Sequence, residues 1–400
     1  MKVIGSHGWQ GRLALAIATG SGLLLTQGAP AGANGIGSAY VANQGAKQIT
    51  IVDTEGMAAV DVIQTQGQPA DLTISQDGSM MYVAEKDTNA LEFISRDDYS
   101  SKGTVPVGTA PVAVTLSHSG KLAFVTNSGS NNVSVVDLAA KNVVKTLPAG
   151  SGPTAAVATG DDVSLVIANG GSGNISFDDI NSGQNTATVA VERGPSAIIL
   201  SNDGRTAYVA NKDGNAVSVV DIPGKTLAAT IATGVGPVGL AASPDGKTLY
   251  TADSSSNDIG VIDLGARKLV QTIGVGQGPA AVAWNKARTL LLTPNTGDNS
   301  ISFVDPGTQQ VKSTAKMSGK PGAMAVAYAE PQPGTTASGQ AGVTVGTSGA
   351  AGGPAVVTAL PKLGGGAAAS TLDNLALWRA TALGACVALA LYLYRRRRRI

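Results

Sequence analysis

The sequence predicts an all-β fold, a closed ring of seven four-stranded sheets known as a seven-bladed β-propeller. Three observations carry this. A tetrapeptide of the form Tyr-Val-Ala-Asn begins at Tyr40, Tyr82, Phe124, Val166, Tyr208, Tyr250 and Leu292, each 42 residues after the last. A proline keeps the same interval at Pro69, Pro111, Pro153, Pro195, Pro237, Pro279 and Pro321. Between these markers each repeat holds four short runs rich in β-branched residues, bounded by Gly, Asn and Asp, with no helix-period pattern. Four strands in about 40 residues make a propeller blade.

The elements follow in chain order. Residues 1–33 read as a secretory signal. Lys2 and Arg12 precede an apolar stretch from Leu13 to Leu25, and Ala31-Gly32-Ala33 supplies small residues for cleavage. Residues 34–328 form the propeller. The unit that begins at Pro237 shows the plan: Val238 to Ser243, a Pro244-Asp245-Gly246 turn, Lys247 to Ala252, a polar loop, Ile259 to Asp263, then Lys268 to Ile273. The first copy has a Tyr-Val strand but no Pro-marked strand before it. The last Pro-marked strand, at about 322–328, has no Tyr-Val strand after it. The C-terminal strand is therefore expected to supply the innermost strand of the N-terminal blade, pairing edges that would otherwise stay open.

Residues 329–372 are Gly, Ala, Ser, Thr and Pro with almost no charge. Such a stretch buries too little apolar surface to offset its conformational entropy and reads as a stalk. Residues 373–400 hold an apolar run from Leu375 to Tyr394, followed by Arg395, Arg396, Arg397, Arg398 and Arg399. Its length crosses a bilayer core, and the arginines are expected to stay cytoplasmic. Leu360-Pro361-Lys362-Leu363-Gly364 lies upstream. Together the three parts resemble the sorting signal of wall-anchored surface proteins, whose pentapeptide is LPxTG. That resemblance implies cleavage by a transpeptidase and attachment to peptidoglycan. Leu363 stands where the family has Thr, so wall attachment and a plain membrane tether both stay open.

Residues 34–372 carry 26 acidic and 20 basic side chains, a net of −6. An acidic body lacks the surplus Lys and Arg that phosphate neutralisation needs, so no nucleic-acid partner is expected. The single cysteine, Cys386, allows no internal disulfide. The expected partners are the membrane, possible peptidoglycan through the C-terminus, and an extracellular protein or small ligand.

The Tyr-Val-x-Asn strand, the Ser-x-Asp-Gly turn and strands such as Val217-Ser218-Val219-Val220-Asp221 resemble the YVTN family of β-propeller repeats, which includes surface-layer and YncE-like proteins. The resemblance covers about 34–328 and implies an exported propeller. Related propellers include lactonases, haem d1 domains and amine dehydrogenase subunits, so the fold alone assigns no activity.

Two histidines occur, His7 in the signal and His118 in a turn slot, too few for a His-based metal or haem site. No cofactor is evident. The recurring acids at Asp53, Asp137, Asp179, Asp221, Asp263 and Asp305, and at Asp77, Asp161, Asp203 and Asp245, are expected to cap backbone N–H groups in turns. Site candidates are sought where one copy breaks the template, and the second copy does so most. Asp71 stands where the others have Ala or Gly, Glu85 where they have Asn or Asp, and Glu92 puts a charge in mid-strand. Asp71 on the innermost strand is expected to face the central channel and, with nearby carboxylates, to hold Ca²⁺ or a cationic group. The competing reading is drift on a solvated blade. Trp284 stands in a slot held elsewhere by Ile, Leu, Ala or Val and reads as core filling or a ligand contact. The functional expectation is a surface-anchored binding or structural module. The alternative is a lactonase-like metal-dependent hydrolase at the channel mouth.

Overall fold

The computed structural model describes residues 38–327 and a three-residue strand, Gly342–Thr344. The signal, most of the stalk, Leu360 to Gly364, and the anchor with Arg395 to Arg399 lie outside the described residues. Gly342–Thr344 pairs antiparallel with the free edge of strand Lys320–Val326.

Each repeat folds as an antiparallel meander. In blade 4 the strands Pro153–Ala158, Ser164–Asn169, Asn174–Asp179 and Asn185–Ala190 lie side by side in that order. The Pro-marked strand is innermost. Proline there opens the strand, where its missing N–H disturbs the ladder least, and a register shift follows at once. The middle strands are apolar on both faces because a neighbouring blade covers each face. Leu165, Val166, Ile167 and Ala168 are all fully buried. Burying such a side chain contributes roughly 1.5–3 kcal/mol. The outermost strand is covered less and carries more polar residues, as in Asn142–Pro148.

Closure occurs at the expected place. Strand Lys320–Val326 pairs with Ser38–Gln44 through Ala39↔Val326, Tyr40↔Ala325 and Val41↔Met324. It begins two residues before the expected 322, because Lys320 and Pro321 still pair with Gln44 and Asn43 across a bulge. Blade 1 is completed by Gln48–Asp53 and Ala58–Gln64. Each innermost strand packs beside the next around the full circle. Side chains from adjacent blades form shared cores: Tyr40 and Ile51 of blade 1 pack with Leu72, Met81 and Ile94 of blade 2.

Blade 7 shows how a template break is absorbed. Pro294 brings no N–H to the inner pairing, and the regular inner strand shrinks to Ala283–Trp284. The Thr293 hydroxyl donates to the Ala281 carbonyl at 2.6 Å instead.

The turn acids do what the repeat pattern implies. Asp53 Oδ1 accepts from the N–H groups of Glu55 and Gly56, both at 2.9 Å. Asp137 Oδ1 does the same for Ala139 and Ala140. Asp203 accepts from the Ser201 hydroxyl and the Arg205 N–H. Hydrogen bonds from the adjacent serine and backbone hold its carboxyl below the usual range.

Candidate functional site

The second strand of every blade carries a polar, fully buried side chain at its last position or, in blade 1, one before it: Asn43, Glu85, Asn127, Asn169, Asn211, Asp253 and Asn295. In five blades it is an amide that donates to a hydroxyl seven residues on. The Nδ2 distances are 3.0 Å for Asn43 to Thr50 and Asn127 to Ser134, and 2.9 Å for Asn211 to Ser218 and Asn295 to Ser302. Asn169 reaches Ser176 at 3.3 Å and Asn174 Oδ1 at 2.9 Å. Its Oδ1 accepts from Gly150 N at 2.9 Å, in the loop that crosses from blade 3 to blade 4. The amide thus staples that crossing loop to two strands. Gly150 must be glycine, since a Cβ there would lie 2.8 Å from Asn169 Cγ. The seven-residue spacing is plain in the sequence, but sequence reasoning took the Asn only as a strand end.

Blade 2 fills both staple slots with acids. Glu85 Oε1 accepts from Gly67 N at 2.7 Å, and its Oε2 from Thr88 Oγ1 at 2.9 Å. Glu92 Oε2 accepts from Gln66 N at 3.1 Å. Both side chains are fully buried, and they accept from adjacent N–H groups of one loop, those of Gly67 and Gln66. Burial, then the neighbouring Glu85 carboxyl, pushes the Glu92 carboxyl up to about 7. Glu92 Oε1 has no hydrogen-bond partner. At the rim, Lys47 Nζ lies 3.4 Å from Asp87 and donates to the Gln66 carbonyl at 2.9 Å.

Blade 6 repeats the substitution, and sequence reasoning missed it. Asp253 Oδ2 accepts from Gly234 N at 3.1 Å and from Thr251 Oγ1 at 2.9 Å. Directly across the ladder stands Asp258, which takes the slot of Asn132 and Asn174. Burial and the adjacent Asp258 push Asp253 up to about 7. Gly260 replaces the hydroxyl residue. A Cβ there would meet Thr251 Oγ1 at 2.4 Å and Asp253 Oδ2 at 2.7 Å. The available signal was an Asp pair five residues apart, in slots where two other blades have an Asn pair.

Asp71 requires a correction. Its side chain does not line the channel. A blade's two faces look at its neighbours, and only the edge of the inner strand borders the channel. Asp71 lies opposite Ala84, on the face where Ala84, Leu91 and Phe93 pack against blade 3. It is fully buried, and its Oδ2 accepts from Val114 N at 2.9 Å. Oδ1 has no partner, and burial pushes the carboxyl up to about 7. The same slot in blade 6 is Gly239, whose added Cβ would lie 2.9 Å from Ala281 Cα in the next blade. Close approach of adjacent inner strands explains why this slot is otherwise small.

Glu85 and Glu92 lie on the opposite face, toward blade 1, by strand alternation from Met81, Val83 and Ile94. The structure therefore joins Glu85 to Glu92 and keeps Asp71 apart from both. The cation site built around Asp71 does not assemble. Among the described residues no group of three or more His, Cys, Asp or Glu is placed to hold a metal ion. Trp284 joins none of them. It packs edge-to-face on Tyr250 with ring centres 5.6 Å apart, and its Nε1 donates to Ala242 O at 2.7 Å, between blades 6 and 7. His118 is exposed in its turn, where its N–H and that of Ser119 are capped by Asp162.

A further residue was passed over. Arg96 is 2 % exposed, in a slot where other blades place Leu138, Ile180, Ile222 and Leu264. Its Nε donates to Tyr40 OH at 3.1 Å, Nη1 donates to Gly78 O, and the guanidinium sits 5.2 Å from the Tyr40 ring centre. Arg96 thus ties blade 2 to blade 1. Asp178 in blade 4 is a further buried carboxyl, accepting from Asn185 Nδ2 at 2.8 Å and held above the usual range by burial.

No curated protein matches the sequence. Solved structures match the fold. A functionally unknown protein from Desulfotomaculum acetoxidans is 17 % identical with a TM-score of 0.66, over 74 % of this chain and 100 % of that one. Hydrazine synthase of Kuenenia stuttgartiensis is 20 % identical with a TM-score of 0.61, over 68 % and 93 %. A candidate 6-phosphogluconolactonase from Bacteroides uniformis is 17 % identical with a TM-score of 0.62, over 72 % and 99 %. At these identities the likeness is one of fold. The model of the YNCE-like β-propeller family matches residues 38–289, more than half of the sequence. With its ring of seven blades, the chain belongs to the YNCE-like β-propeller family.

Proposed function

We propose that this chain is an exported propeller, held at the cell surface by its C-terminal segment, that serves as a binding or structural module. The observation that carries the non-enzymatic part is the use made of the acids. Glu85, Glu92 and Asp253 are buried, each with one oxygen accepting from an N–H of the protein's own loops. A carboxylate held this way organises loops and presents nothing to a substrate. The surface location rests on the sequence of the two ends, with the apolar run and terminal arginines retaining the chain.

The competing reading is a lactonase-like, metal-dependent hydrolase, in line with the name given to the Bacteroides uniformis neighbour. Two measurements separate them. Protease treatment of intact cells expressing the full chain is expected to remove the propeller from the cell fraction. Deletion of residues 373–400 is expected to send it to the medium. Retention of the full chain in the cytosol would end the surface reading. Lactone hydrolysis by the purified chain that disappears on chelation would establish the enzyme instead.

A further inference from the structure

Five blades place an amide in the staple slot, a group that can donate and accept at once. Its N–H goes to an oxygen on the third strand, and in blade 4 its carbonyl accepts from the crossing loop. An ionised carboxylate accepts from the loop equally well but has nothing to donate. In blade 6 Asp253 stands directly across from Asp258, and in blade 2 Glu85 and Glu92 accept from the adjacent N–H groups of Gly67 and Gln66, so in each blade two acceptors lie side by side. Asp253 Oδ1 and Asp258 Oδ1 are both buried without any donor, as is Glu92 Oε1. Asn127, Asn211 and Asn295 also leave Oδ1 unpartnered, but an amide oxygen carries no charge to repel a neighbour. One proton between the two carboxyls restores the missing donor and removes the repulsion, as in other carboxyl pairs that share a site.

We propose that Glu85–Glu92 and Asp253–Asp258 are proton-held staples. Each fastens its crossing loop while one carboxyl of the pair is protonated and releases it when both ionise. The loops concerned are the stretches around Gly67 and Gly234, whose N–H groups the pairs accept. No metal is needed, because the oxygens facing the loops are already engaged by N–H donors. The pairs have few other charges to answer to. Lys47 and Asp87 flank the blade 2 pair and neutralise each other, while Gln66, Thr88 and Ser101 are neutral. The Asp253 contacts besides Asp258 are the Gly234 N–H and the Thr251 hydroxyl. The device thus makes the ring firmest in a mildly acidic medium and loosens one crossing loop beside blade 2 and another beside blade 6 as the medium turns alkaline.

The remaining blades supply both the control and the repair. Hydrogen exchange of the full-length chain would be followed by mass spectrometry at about pH 5.5 and about pH 8.5, corrected for intrinsic rates. Peptides covering Gly67 and Gly234 are expected to lose protection by roughly tenfold or more on going alkaline, while the peptide covering Gly150 holds its protection. Transplanting the chain's own amide template, E85N with E92S and D253N with D258N, is expected to flatten the response at each repaired loop. Equal behaviour of the Gly67, Gly234 and Gly150 peptides in the unaltered protein would overturn the proposal, and needs no variant to fold. A pH response that persists in the repaired proteins would overturn it equally.

Discussion

Blades 2 and 4 share a backbone plan and differ in chemistry at the same slots. Blade 4 has Ala155, Asn169, Ser176 and Ile180 where blade 2 has Asp71, Glu85, Glu92 and Arg96. All four replacements in blade 2 are charged or ionisable, and all are buried. The sheet survives because each slot demands a physical service and not a residue type. In blades 2 and 4 the staple slot accepts a loop N–H, which Asn169 and Glu85 both do. The slot at the end of the third strand must fill the seam between blades. Ile180 does so with apolar bulk, and Arg96 with a planar group stacked on Tyr40. Burying a charge in place of an alkyl group costs desolvation, which only well-made hydrogen bonds offset.

This comparison is most sharply tested at Arg96. Arg96→Ala leaves the Tyr40 hydroxyl and the Gly78 carbonyl without this donor and opens a void between blades 1 and 2. A loss of about 3–5 kcal/mol in denaturant unfolding is expected. Arg96→Leu, the residue of blades 3 and 6, is expected to lose much less, because it refills the volume. Equal losses in the two variants would mean that the hydrogen bonds, and not the filling of the seam, are what the slot requires.

The next largest effect is expected at the amide staple. Asn169→Ala deprives Gly150 N, Asn174 and Ser176 of a partner and should cost about 1–3 kcal/mol. Asn169→Asp should cost less, since the carboxylate still accepts from Gly150 and the Asn174 amide can turn to donate. If the Asp variant were as unstable as the Ala variant, acceptance of the loop N–H would not be the service that unites blades 2 and 4.

The smallest effect is pH-dependent and belongs to Asp71. Its folded-state value of about 7 lies above the ordinary 3.8, so protonation favours the folded chain. The stabilising contribution is full below the ordinary value and disappears as pH rises through about 7. Asp71→Ala restores the residue of blade 4, Ala155. It should stabilise the protein by about 1–2 kcal/mol near pH 8 and by little near pH 5, measured as urea midpoints at each pH. A variant less stable than the parent at alkaline pH would show that the bond to Val114 N outweighs the buried charge.

The periodic features of the fold were legible because every blade repeats them. Pro153 and Pro195 mark the same point of the meander, and Asp137 and Asp221 cap the same turn. Local hydrogen bonds of this kind depend on neighbours a few residues away, which the sequence displays directly. Ring closure was legible for a related reason: the strand missing from the first copy is the one left over in the last. That the last strand joins the first blade follows from that count, and the structure pairs Met324 with Val41.

The acid pairs were legible only in part. Glu85 and Glu92 stood out singly as breaks in the pattern, while their union depends on which face of the strand each occupies. Asp253 escaped notice because an Asp among Asn residues looks conservative, although the loss of one N–H donor changes what its neighbour must be. Asp71 was placed wrongly for a related reason. An inner strand suggests a channel, yet the strand presents only its backbone edge there and sends its side chains into the seams.

The sequence by itself determined the number of blades, the order of strands and the point at which the circle joins. Those are matters of spacing and short-range hydrogen bonding. Only the tertiary structure decided which acids meet, which are isolated and which carbonyls hold Arg96. Such contacts join residues of different strands and blades, and burial between sheets, not position along the chain, sets the charge state they can bear.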